Sequence, residues 1–500
     1  MVTRIIGRWL PPLAVGVVAF IGARVAMMPG VSFWDTAELQ TVAPVLGTAH
    51  PTGFPTYVLL GFVANLLLAP FGDPAFRMNL FAGLCVALAA AVTVDLVRAL
   101  TRSVVLGVMA GVGLAFTGIV WKIGTHAEAH ALHLALTAIL LRLLVAWEDD
   151  ERDRTLVAAA AVFGLAAGNH SLTLLLALPI ALYVVAVDRA ILRRPRLILA
   201  CVGAAFLTVA LVYLELPLRA GPFRAPIVYG QPETWDGFWY IALAEQFRGS
   251  VVGPFDALPA KALDLVMRTV DAFGPLAIFL PLAFLVTVVR HPRYALLTGS
   301  AVAITCFFAA SYVNAMIDRY YVVPVLMAWT WLAVLAEGVA RMAGSGVDDD
   351  GERRLQPAVA AVLAVVLLVP TAVALGDRYG AIDRSHDVAA SEWLDRTLAS
   401  LEPDAVVVSW WSYSTPLWYA QVIEGRRPDI SIIDDRTRLD QNLGDIYDVI
   451  DSNLPQRPVY VIRIEPADIA GIAERYVTQP MNGFDPSMLA RVVKRRESGE

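Results

Sequence analysis

Apolar runs of membrane-spanning length recur along the first three quarters of the chain. The first covers residues 9–28, about 20 residues, which is enough to cross the roughly 30 Å hydrocarbon core of a bilayer. No small-residue cleavage site closes this run, so we expect a retained span rather than a signal peptide. Further runs follow at 76–99, 103–121, 128–147, 155–170, 171–187, 197–216, 271–289, 294–313, 320–340 and 357–376. The pattern predicts a polytopic α-helical membrane protein with about 11 transmembrane helices.

One apolar segment, residues 57–70, is too short to be counted among the spans and fits a helix that lies in the membrane interface. With that segment excluded, the arginine-rich connections share one side of the membrane with the N-terminus, and the positive-inside rule assigns this side to the cytoplasm. These arginines are Arg4, Arg8, Arg98, Arg102, Arg152, Arg154, Arg189, Arg193, Arg194, Arg196, Arg290, Arg293, Arg341, Arg353 and Arg354. We therefore expect a multi-pass plasma-membrane protein with a cytoplasmic N-terminus. Its first outward loop covers 29–75 and its second covers 217–268.

The chain changes character at about residue 377, where the long apolar runs stop and charge rises. Buried strands are predicted at 405–410, 429–434 and 458–463, separated by helical stretches at about 386–400, 414–424 and 440–452. This alternation predicts an extracytoplasmic α/β domain with a parallel sheet over 377–500, after a transmembrane domain over 1–376. Because the tail has no Gly-rich phosphate loop, we assign it acceptor binding or a structural role.

Composition excludes several classes of protein. Hydrophobic residues make up 57% of the chain and charged residues 17%, which rules out an ordinary soluble enzyme. The net charge is −6 and no basic stripe is interleaved with aromatic residues, so we expect no nucleic-acid partner. Cys85, Cys201 and Cys306 each lie inside an apolar run, which argues against both a disulfide framework and a thiolate zinc site.

The first outward loop carries two acids and a histidine in a stretch without Lys or Arg. Asp35 and Glu38 are three residues apart, so a helix that begins there places both carboxylates on one face, with Asp35 as its cap. A cap plus a solvated Glu is the structural alternative. We favour a functional role, because unpaired carboxylates at a membrane surface are costly. His50 follows in a rigid turn rich in Pro and Gly.

A second group of polar residues lies at the predicted outer end of two spans. His126, His130 and His133 are spaced to share one helical face, which is a metal-ligand geometry. Hydrogen-bonded packing histidines are the reading we favour, since no second carboxylate or Cys is in register. Glu128 is the better candidate for contact with substrate or metal. The group comprises Trp121, Lys122, His126, Glu128, His130 and His133.

The other candidates are spread over three outward segments. Asn169 and His170 lie between two predicted spans with no loop residues to spare, so they line the outer vestibule or pack between helices. Arg319 either pairs with Asp318 or binds an anionic lipid phosphate. The aromatic residues of the second outward loop form an interfacial belt by default, with a platform for a sugar ring as the alternative. That loop supplies Arg219, Arg224, Trp235, Trp239 and Tyr240.

Short motifs follow one another in a fixed order along about 430 residues. They are WDTAEL, AHPTGFPTYVLLG, FGDPAFRMNLFAG, WKIGTHAEAHALH, GNHSLTLLLALP, LPLRAG with YGQPETWDGFWY, DRYYVVP and WWSYSTPLWYAQVIEGRRPDI. In this order they resemble a bacterial family of polytopic membrane proteins. That family is related to the eukaryotic transmembrane protein O-mannosyltransferase that modifies plexin-type receptor domains, and it belongs to the GT-C superfamily of lipid-linked-sugar glycosyltransferases.

The resemblance implies a GT-C fold, an acidic catalytic residue in the first outward loop and a sugar donor linked to a polyprenyl phosphate. In this sequence, the catalytic acid of the family's first-loop motif corresponds to Asp35, and its companion acid corresponds to Glu38. A role tied to the Tyr that many relatives have after Glu128 is not carried over. The departures from the family pattern are Ala37 in place of Gly, Leu39 in place of an aromatic residue, and Ala129 and His130 in place of Val and Tyr.

Sugar transfer to a hydroxyl needs a base for the acceptor proton and positive charge for the leaving phosphate. We expect an inverting membrane glycosyltransferase with Asp35 as base, mannose as the candidate sugar, and a protein or glycan hydroxyl as acceptor. Arg319 suits the leaving phosphate, with Arg77 or Lys122 as alternatives. Asp35 and Glu38 could instead bind a divalent metal ion, the one candidate cofactor. The residues expected to contact substrate are His50, Arg77, Lys122, His126, Glu128, Asn169, His170, Arg219, Trp235 and Arg319.

A transporter or flippase of lipid-linked sugars is the main alternative, and a membrane scaffold with an external binding domain is a third reading. Transporters place charged residues in mid-span, whereas few such charges occur here beyond Arg24. A scaffold leaves the acidic first loop without a purpose. An outward cavity shared by Asp35, Glu128 and Arg319 would support transfer, and a path through the bilayer would support transport.

Overall fold

The structure is a computed structural model that describes residues 2–345, 349–481, 484 and 489–496. Among the arginines of the topology argument, the side chains of Arg4, Arg353 and Arg354 lie outside this description. The end of the predicted C-terminal domain, residues 497–500, also lies outside the described residues.

Helices make up nearly all of the chain up to residue 382. They are α1 (Val2–Val25), α2 (Trp34–Val45), α3 (Pro55–Leu67), α4 (Pro74–Thr101), α5 (Val104–Ala115), α6 (Gly118–Ile123), α7 (Ala129–Asp150), α8 (Asp153–Asn169), α9 (Ala177–Val187), α10 (Pro195–Tyr213), α11 (Glu215–Ala220), α12 (Trp235–Ala242), α13 (Leu258–Phe273), α14 (Leu280–Arg290), α15 (Pro292–Ala309), α16 (Val322–Gly344), α17 (Asp349–Val373) and α18 (Leu375–Ile382). Short 3₁₀ segments cover Ala69–Phe71, Ser171–Leu176, Arg189–Arg193, Glu245–Ser250, Gly274–Phe279 and Ile317–Tyr321.

Eight helices of the described chain are long and apolar enough to cross a membrane. They are Arg8–Val25, Pro74–Thr101, Ala129–Asp150, Pro195–Ala220, Leu258–Arg290, Pro292–Ala309, Ile317–Gly344 and Leu355–Val373. The predicted spans at 103–121, 155–170 and 171–187 coincide with the shorter helices α5, α8 and α9. The polytopic helical class is confirmed, whereas the number of 11 spans stays a prediction.

Helix α3 contains the short apolar segment of the first outward loop. Its 13 residues are about 20 Å long at 1.5 Å per residue, well under the thickness of the hydrocarbon core. The helix packs against α2 and α4, and Gly61 allows the close approach, because a Cβ there would lie 2.7 Å from the Met78 methyl and 2.9 Å from the Ala43 methyl. Its interfacial orientation stays a prediction.

Helices α4, α7 and α16 form the buried centre of the membrane part. Helix α4 packs against α1, α5 and α7, and α16 packs against α5, α14 and α17. Trp329 fixes α16 to α5, since its ring lies on Gly113 and its Nε1 donates to Thr117 Oγ1 at 2.9 Å. Since the segment Ile317–Tyr321 leads directly into α16, this packing also fixes the position of Arg319.

The C-terminal unit is a mixed five-stranded sheet with helices around it. Its strands are β1 (Val406–Ser409), β2 (Ser431–Ile433), β3 (Val459–Ile462), β4 (Tyr476–Pro480) and β5 (Ala490–Arg495), in the order β2-β1-β3-β5-β4. Its helices are α19 (Ala389–Ser400), α20 (Trp411–Trp418), α21 (Asp435–Asp440), α22 (Ile446–Asn453) and α23 (Pro466–Arg475), and a π-helical turn covers Tyr419–Ile423. The predicted strands β1, β2 and β3 are confirmed as parallel. The prediction missed β4 and β5, which pair antiparallel.

The C-terminal unit packs on the first outward loop. Ala37 of α2 and Val31 belong to the same apolar cluster as Trp393 of α19 and Leu417 of α20. The Tyr419 hydroxyl accepts a hydrogen bond from the backbone N–H of Ala75 at 3.1 Å. These contacts bring the carboxyl ends of β1 and β2 next to the beginning of α2.

Candidate functional site

A cavity of about 410 Å³ lies between the first outward loop, the beginnings of α7 and α16, and the C-terminal unit. This volume falls in the range of small-molecule sites, about 300–1,000 Å³. Five of the residues predicted from the sequence line it: Asp35, His50, Glu128, His170 and Arg319. Asp35, Glu128 and Arg319 thus share one cavity, although they lie far apart in the sequence.

Asp35 lies in the first turn of α2 and faces Arg319. Phe33 occupies the N-cap position without a side-chain cap, so the prediction that Asp35 caps the helix is wrong. Its Oδ2 instead accepts a hydrogen bond from Arg319 Nη2 at 2.7 Å. Burial opposes ionisation of Asp35, but the electrostatic interactions with His50 and Arg319 and the hydrogen bond from Arg319 outweigh it and lower the pKa of the carboxyl. Asp35 is therefore an ionised carboxylate in the cavity wall.

Arg319 joins two carboxylates from different elements. Besides Asp35, its Nη1 donates to Glu128 Oε2 at 2.9 Å, while its buried Nε has no hydrogen-bond partner. The predicted pairing with Asp318 is wrong, since Asp318 pairs with Arg268. Adjacent residues on a helical segment do not face each other, which explains why the two side chains separate.

Glu128 caps the N-terminus of α7. Its Oε1 accepts from the backbone N–H of His130 at 3.2 Å and lies 2.8 Å from His130 Nδ1, so Glu128 holds His130 and Arg319 at once. Because α7 begins only at Ala129, His126 precedes the helix, and the predicted helical face with His130 and His133 does not form. Among the described residues, no group of three or more His, Cys, Asp or Glu is arranged to hold a metal ion.

Glu38 is buried, with 3% of its surface exposed, and it does not line the cavity. Its Oε1 accepts from the backbone N–H of His50 at 3.0 Å and from Arg436 Nη1 at 3.3 Å, and its Oε2 contacts His50 Nδ1. The expectation of unpaired carboxylates in this loop is therefore wrong. The neutralising cations come from residues 319 and 436, outside the loop on which that expectation rested.

Three predicted substrate residues have backbone or neighbouring partners outside the cavity. Arg77 Nε donates to the Gly72 carbonyl at 2.7 Å. Arg219 donates to the carbonyls of Val45 and Leu46 at 2.9 and 3.1 Å, where it caps the C-terminus of α2. Asn169 is fully buried and donates to the Ala129 carbonyl at 3.0 Å, so it holds the beginning of α7.

The remaining three also lie away from the cavity. His126 hydrogen-bonds to Thr125 Oγ1 at 3.2 Å, and Lys122 is exposed on α6. Trp235 is 75% exposed at the start of α12, a position that suits an interfacial aromatic. Of the cations proposed for the phosphate, Arg319 lines the cavity, whereas Arg77 and Lys122 do not.

The sequence comparisons point to one family. Residues 35–193 match the family model described as the Protein O-mannosyl-transferase TMEM260 N-terminal domain. A curated relative, Protein O-mannosyl-transferase TMEM260 of Mus musculus, is 26% identical over 428 residues, which cover 80% of this chain. The match spans 59% of the mouse protein's length.

The solved structures give the fold. ArnT from Cupriavidus metallidurans bound to undecaprenyl phosphate superposes with a TM-score of 0.62 at 15% identity, covering 97% of this chain and 98% of that chain. The apo state of ArnT gives a TM-score of 0.57 at 13% identity, with 98% of each chain covered. The chain therefore shares the fold of ArnT and is similar in sequence to TMEM260. The fold and the family resemblance expected from the sequence are thereby confirmed.

Several residues of the cavity were missed by the sequence argument. Trp410, Trp411 and Arg436 line the wall that the C-terminal unit contributes, and Tyr312 and Tyr320 line the side next to α16. The sequence does indicate Trp410, Trp411 and Arg436, because they lie at or just after the carboxyl ends of the predicted strands β1 and β2. Parallel sheets bind ligands at this edge. No sequence pattern indicates that this edge faces the first outward loop.

Proposed function

We propose that this chain is a membrane glycosyltransferase that moves a sugar from a polyprenyl-phosphate donor to an acceptor hydroxyl on the outer face of the plasma membrane. The observation that carries the proposal is the convergence of Asp35, Glu128 and Arg319 on one cavity. The name of the mouse relative, a protein O-mannosyl-transferase, supports mannose as the sugar and a protein hydroxyl as acceptor, with a glycan hydroxyl as the alternative. The undecaprenyl phosphate bound to ArnT supports a polyprenyl-phosphate donor.

The proposed reaction is a single displacement at the anomeric carbon of the sugar. The acceptor oxygen forms a bond to this carbon while the bond to the phosphate oxygen breaks, and the bonding electron pair leaves with the polyprenyl phosphate. Asp35 takes the acceptor's hydroxyl proton as general base. Attack from the face opposite the phosphate inverts the anomeric configuration.

Arg319 is the residue suited to the leaving phosphate. Its guanidinium can form charge-assisted hydrogen bonds with phosphate oxygens, and it already lies in a buried setting where such bonds are strong. A phosphate bound there competes with Asp35 for Arg319. Since Arg319 is one of the charges that lower the pKa of Asp35, donor binding makes Asp35 a stronger base.

An aromatic ladder suits the lipid side of the donor. Tyr312 and Tyr320 stack with ring centroids 5.4 Å apart, and His130 stacks on Tyr320 at 5.3 Å. Tyr320, the middle ring of the ladder, is next to Arg319 in the segment Ile317–Tyr321. A donor that enters sideways from the bilayer would pass the ladder with the phosphate directed at Arg319, which fits the lack of a nucleotide-binding loop.

The C-terminal unit contributes Trp410, Trp411 and Arg436 to the cavity, and we assign this part of the wall to the acceptor. The indole Nε1 atoms of Trp410 and Trp411 are buried without a hydrogen-bond partner. Buried donors are nearly always satisfied, so these two call for oxygen acceptors on a bound molecule. Hydroxyl and carbonyl oxygens of a sugar or a peptide provide them.

A divalent metal ion does not fit between Asp35 and Glu38 in this arrangement. Asp35 faces Arg319, whereas Glu38 contacts His50 and Arg436, so the two carboxylates do not converge on a common point. The proposed mechanism assigns the phosphate charge to Arg319. Transport is the weaker alternative, because Asp35, Glu128 and Arg319 converge on one cavity, as expected for a transfer site.

The test is a transfer assay in detergent with a polyprenyl-phosphate mannose donor. The wild type should release polyprenyl phosphate in an acceptor-dependent way, and Asp35→Asn should lower the rate by about 10²–10⁴-fold, the usual contribution of a general base. Asp318→Asn is the matched control, because this acid lies next to Arg319 in sequence but pairs with Arg268, and it should keep the wild-type rate. Full activity of Asp35→Asn would contradict the assignment of the base.

A further inference from the structure

Helix α21 of the C-terminal unit contacts both outward loops. Its Asp440 carboxylate accepts a hydrogen bond from the backbone N–H of Gly230 at 2.7 Å, and the Asp440 carbonyl accepts from Gln231 Nε2 at 2.5 Å, both in the second outward loop. Its Arg436 reaches Glu38 in the first outward loop at 3.3 Å. This six-residue helix thus connects the C-terminal unit with the first and the second outward loop.

The helix is held rigidly on its own sheet. Asp434 caps it by accepting from the backbone N–H of Thr437 at 2.8 Å. Arg463, at the carboxyl end of β3, donates to both carboxylate oxygens of Asp435 at 2.8 and 2.9 Å and is almost fully buried. Paired bonds of this kind fix orientation as well as distance. The position of Arg436 is therefore set by the sheet.

Arg436 is enclosed by aromatic rings where it meets Glu38. Its guanidinium carbon lies 4.0 Å from the ring centroid of Trp411 and 4.9 Å from that of Tyr229. With 12% of its side chain exposed, the charge is largely removed from water. Cation–π contacts and the ion pair with Glu38 compensate for that removal.

The contacts close into a ring of four side chains that we call the clasp: Arg436, Glu38, His50 and Trp411. Glu38 holds both the backbone N–H and Nδ1 of His50, and the His50 ring lies 5.7 Å from that of Trp411. Because Nδ1 contacts Glu38, the carboxylate fixes the orientation of the His50 ring. His50 and Arg436 line the cavity, whereas Glu38 lies behind them.

We propose that Arg436 is a positioning residue and that the C-terminal unit completes the transfer site through it. Docking of α21 fixes Glu38, and Glu38 in turn fixes the orientation of His50 beside the reacting groups. This inference rests on the proposed function for its effect on rate, but the contact itself is independent of the reaction. The C-terminal unit would then contribute to turnover without supplying the base or the phosphate ligand.

The kinetic test compares Arg436→Met with Arg438→Met, a change on the same helix. Among the described residues, the Arg438 side chain bonds to Asp435 and Gly444, both within the C-terminal unit, so its variant is the matched control. We expect Arg436→Met to lower kcat by about 10–100-fold, the usual cost of losing an orienting partner, with the donor KM within about two-fold of wild type. Arg436→Lys should recover part of kcat because it keeps the charge but loses the planar stack. Arg438→Met should stay within about two-fold of wild type in both parameters.

A double-mutant cycle tests whether Arg436 acts through Glu38. If it does, Arg436→Met should cost nothing further in a Glu38→Gln background, because the interaction is already lost. Additive losses in the double variant would overturn the proposal, as would a wild-type kcat in Arg436→Met. A rise in donor KM shared by Arg436→Met and Arg438→Met would also overturn it, since that pattern reports general disruption of the domain.

An activity-independent measurement separates this inference from the proposed function. Hydrogen exchange of the detergent-solubilised full chain should be about 10-fold faster over residues 46–54 in Arg436→Met than in wild type, and unchanged in Arg438→Met. If the wild type transfers no sugar, the proposed function fails. The exchange data still show whether Arg436 orders residues 46–54 through the clasp. Equal exchange of residues 46–54 in wild type and Arg436→Met would refute the clasp even if the wild type is active.

Discussion

Arg319 connects the two carboxylates of the site, Asp35 in α2 and Glu128 at the beginning of α7. It is the cation shared by Asp35 and Glu128, and its buried Nε is still without a partner. Removing one partner of a buried charge network leaves the others uncompensated, which typically costs about 3–5 kcal/mol. The same residue therefore serves both folding and, in our proposal, the leaving phosphate.

Substitution of Arg319 should separate these two roles. Arg319→Lys keeps the positive charge but loses the fork that reaches two carboxylates, so we expect a folded protein with kcat about 10²–10³-fold lower. The measurement is the initial rate of polyprenyl phosphate release, alongside the thermal midpoint of each variant. A wild-type kcat in Arg319→Lys would show that the phosphate is held elsewhere.

Asp35 gives a pH prediction with a definite sign. Its pKa is lowered in the folded protein, so its carboxylate stabilises the fold fully above its ordinary pKa of about 4 and loses that contribution as pH falls through the lower folded value. The difference in thermal midpoint between wild type and Asp35→Asn should thus be largest at pH 7 and shrink below about pH 4. A difference that grows on acidification would contradict the lowered pKa.

At the scale of elements, Glu128 combines an N-cap with an ion pair, and the two can be dissected. Glu128→Gln keeps a side-chain oxygen for the cap but loses the charge that holds Arg319. Glu128→Ala loses both, so it should be less stable than Glu128→Gln by about 1 kcal/mol, the typical value of a cap. Thermal unfolding of the two variants in detergent measures this gap. Equal stability would mean that Glu128 does not cap α7 in solution.

The elements themselves were largely predictable, and their contacts were not. Apolar runs indicated the long helices, and β-branched runs indicated β1, β2 and β3, because both signals are local. Strands β4 and β5 were missed, since their solvent-facing positions carry polar and charged residues such as Gln479, Lys494 and Arg495. Asp35 and Glu38 were found by type and spacing, but their partners Arg319 and Arg436 lie hundreds of residues away, where spacing gives no information.

At the scale of the whole molecule, the site lies at the interface between the membrane part and the C-terminal unit. The first outward loop supplies Asp35 and His50, α7 and α16 hold Glu128 and Arg319, and the C-terminal unit supplies Trp411. In our proposal, a lipid-linked donor and a water-borne acceptor meet in this cavity. No single segment of the described chain contains the complete site.

Metal removal tests this arrangement of the whole site. Because Arg319 is assigned the phosphate charge and the carboxylates are paired with Arg and His, transfer should continue at the wild-type rate after treatment with EDTA. Rates before and after chelation, with Mg²⁺ or Mn²⁺ added back, provide the measurement. Loss of activity that either cation restores would require the carboxylates to rearrange around a metal.

The most direct test of the central claim separates donor binding from the chemical step. Purified wild type and Asp35→Asn are loaded with a radiolabelled polyprenyl-phosphate sugar, binding is measured without acceptor, and a single turnover is then started by adding acceptor. We predict that Asp35→Asn binds the donor at least as tightly as wild type, because Arg319 is released for the phosphate, while its single-turnover rate falls by about 10²–10⁴-fold. An unchanged single-turnover rate, or a loss explained entirely by weaker donor binding, would contradict the account.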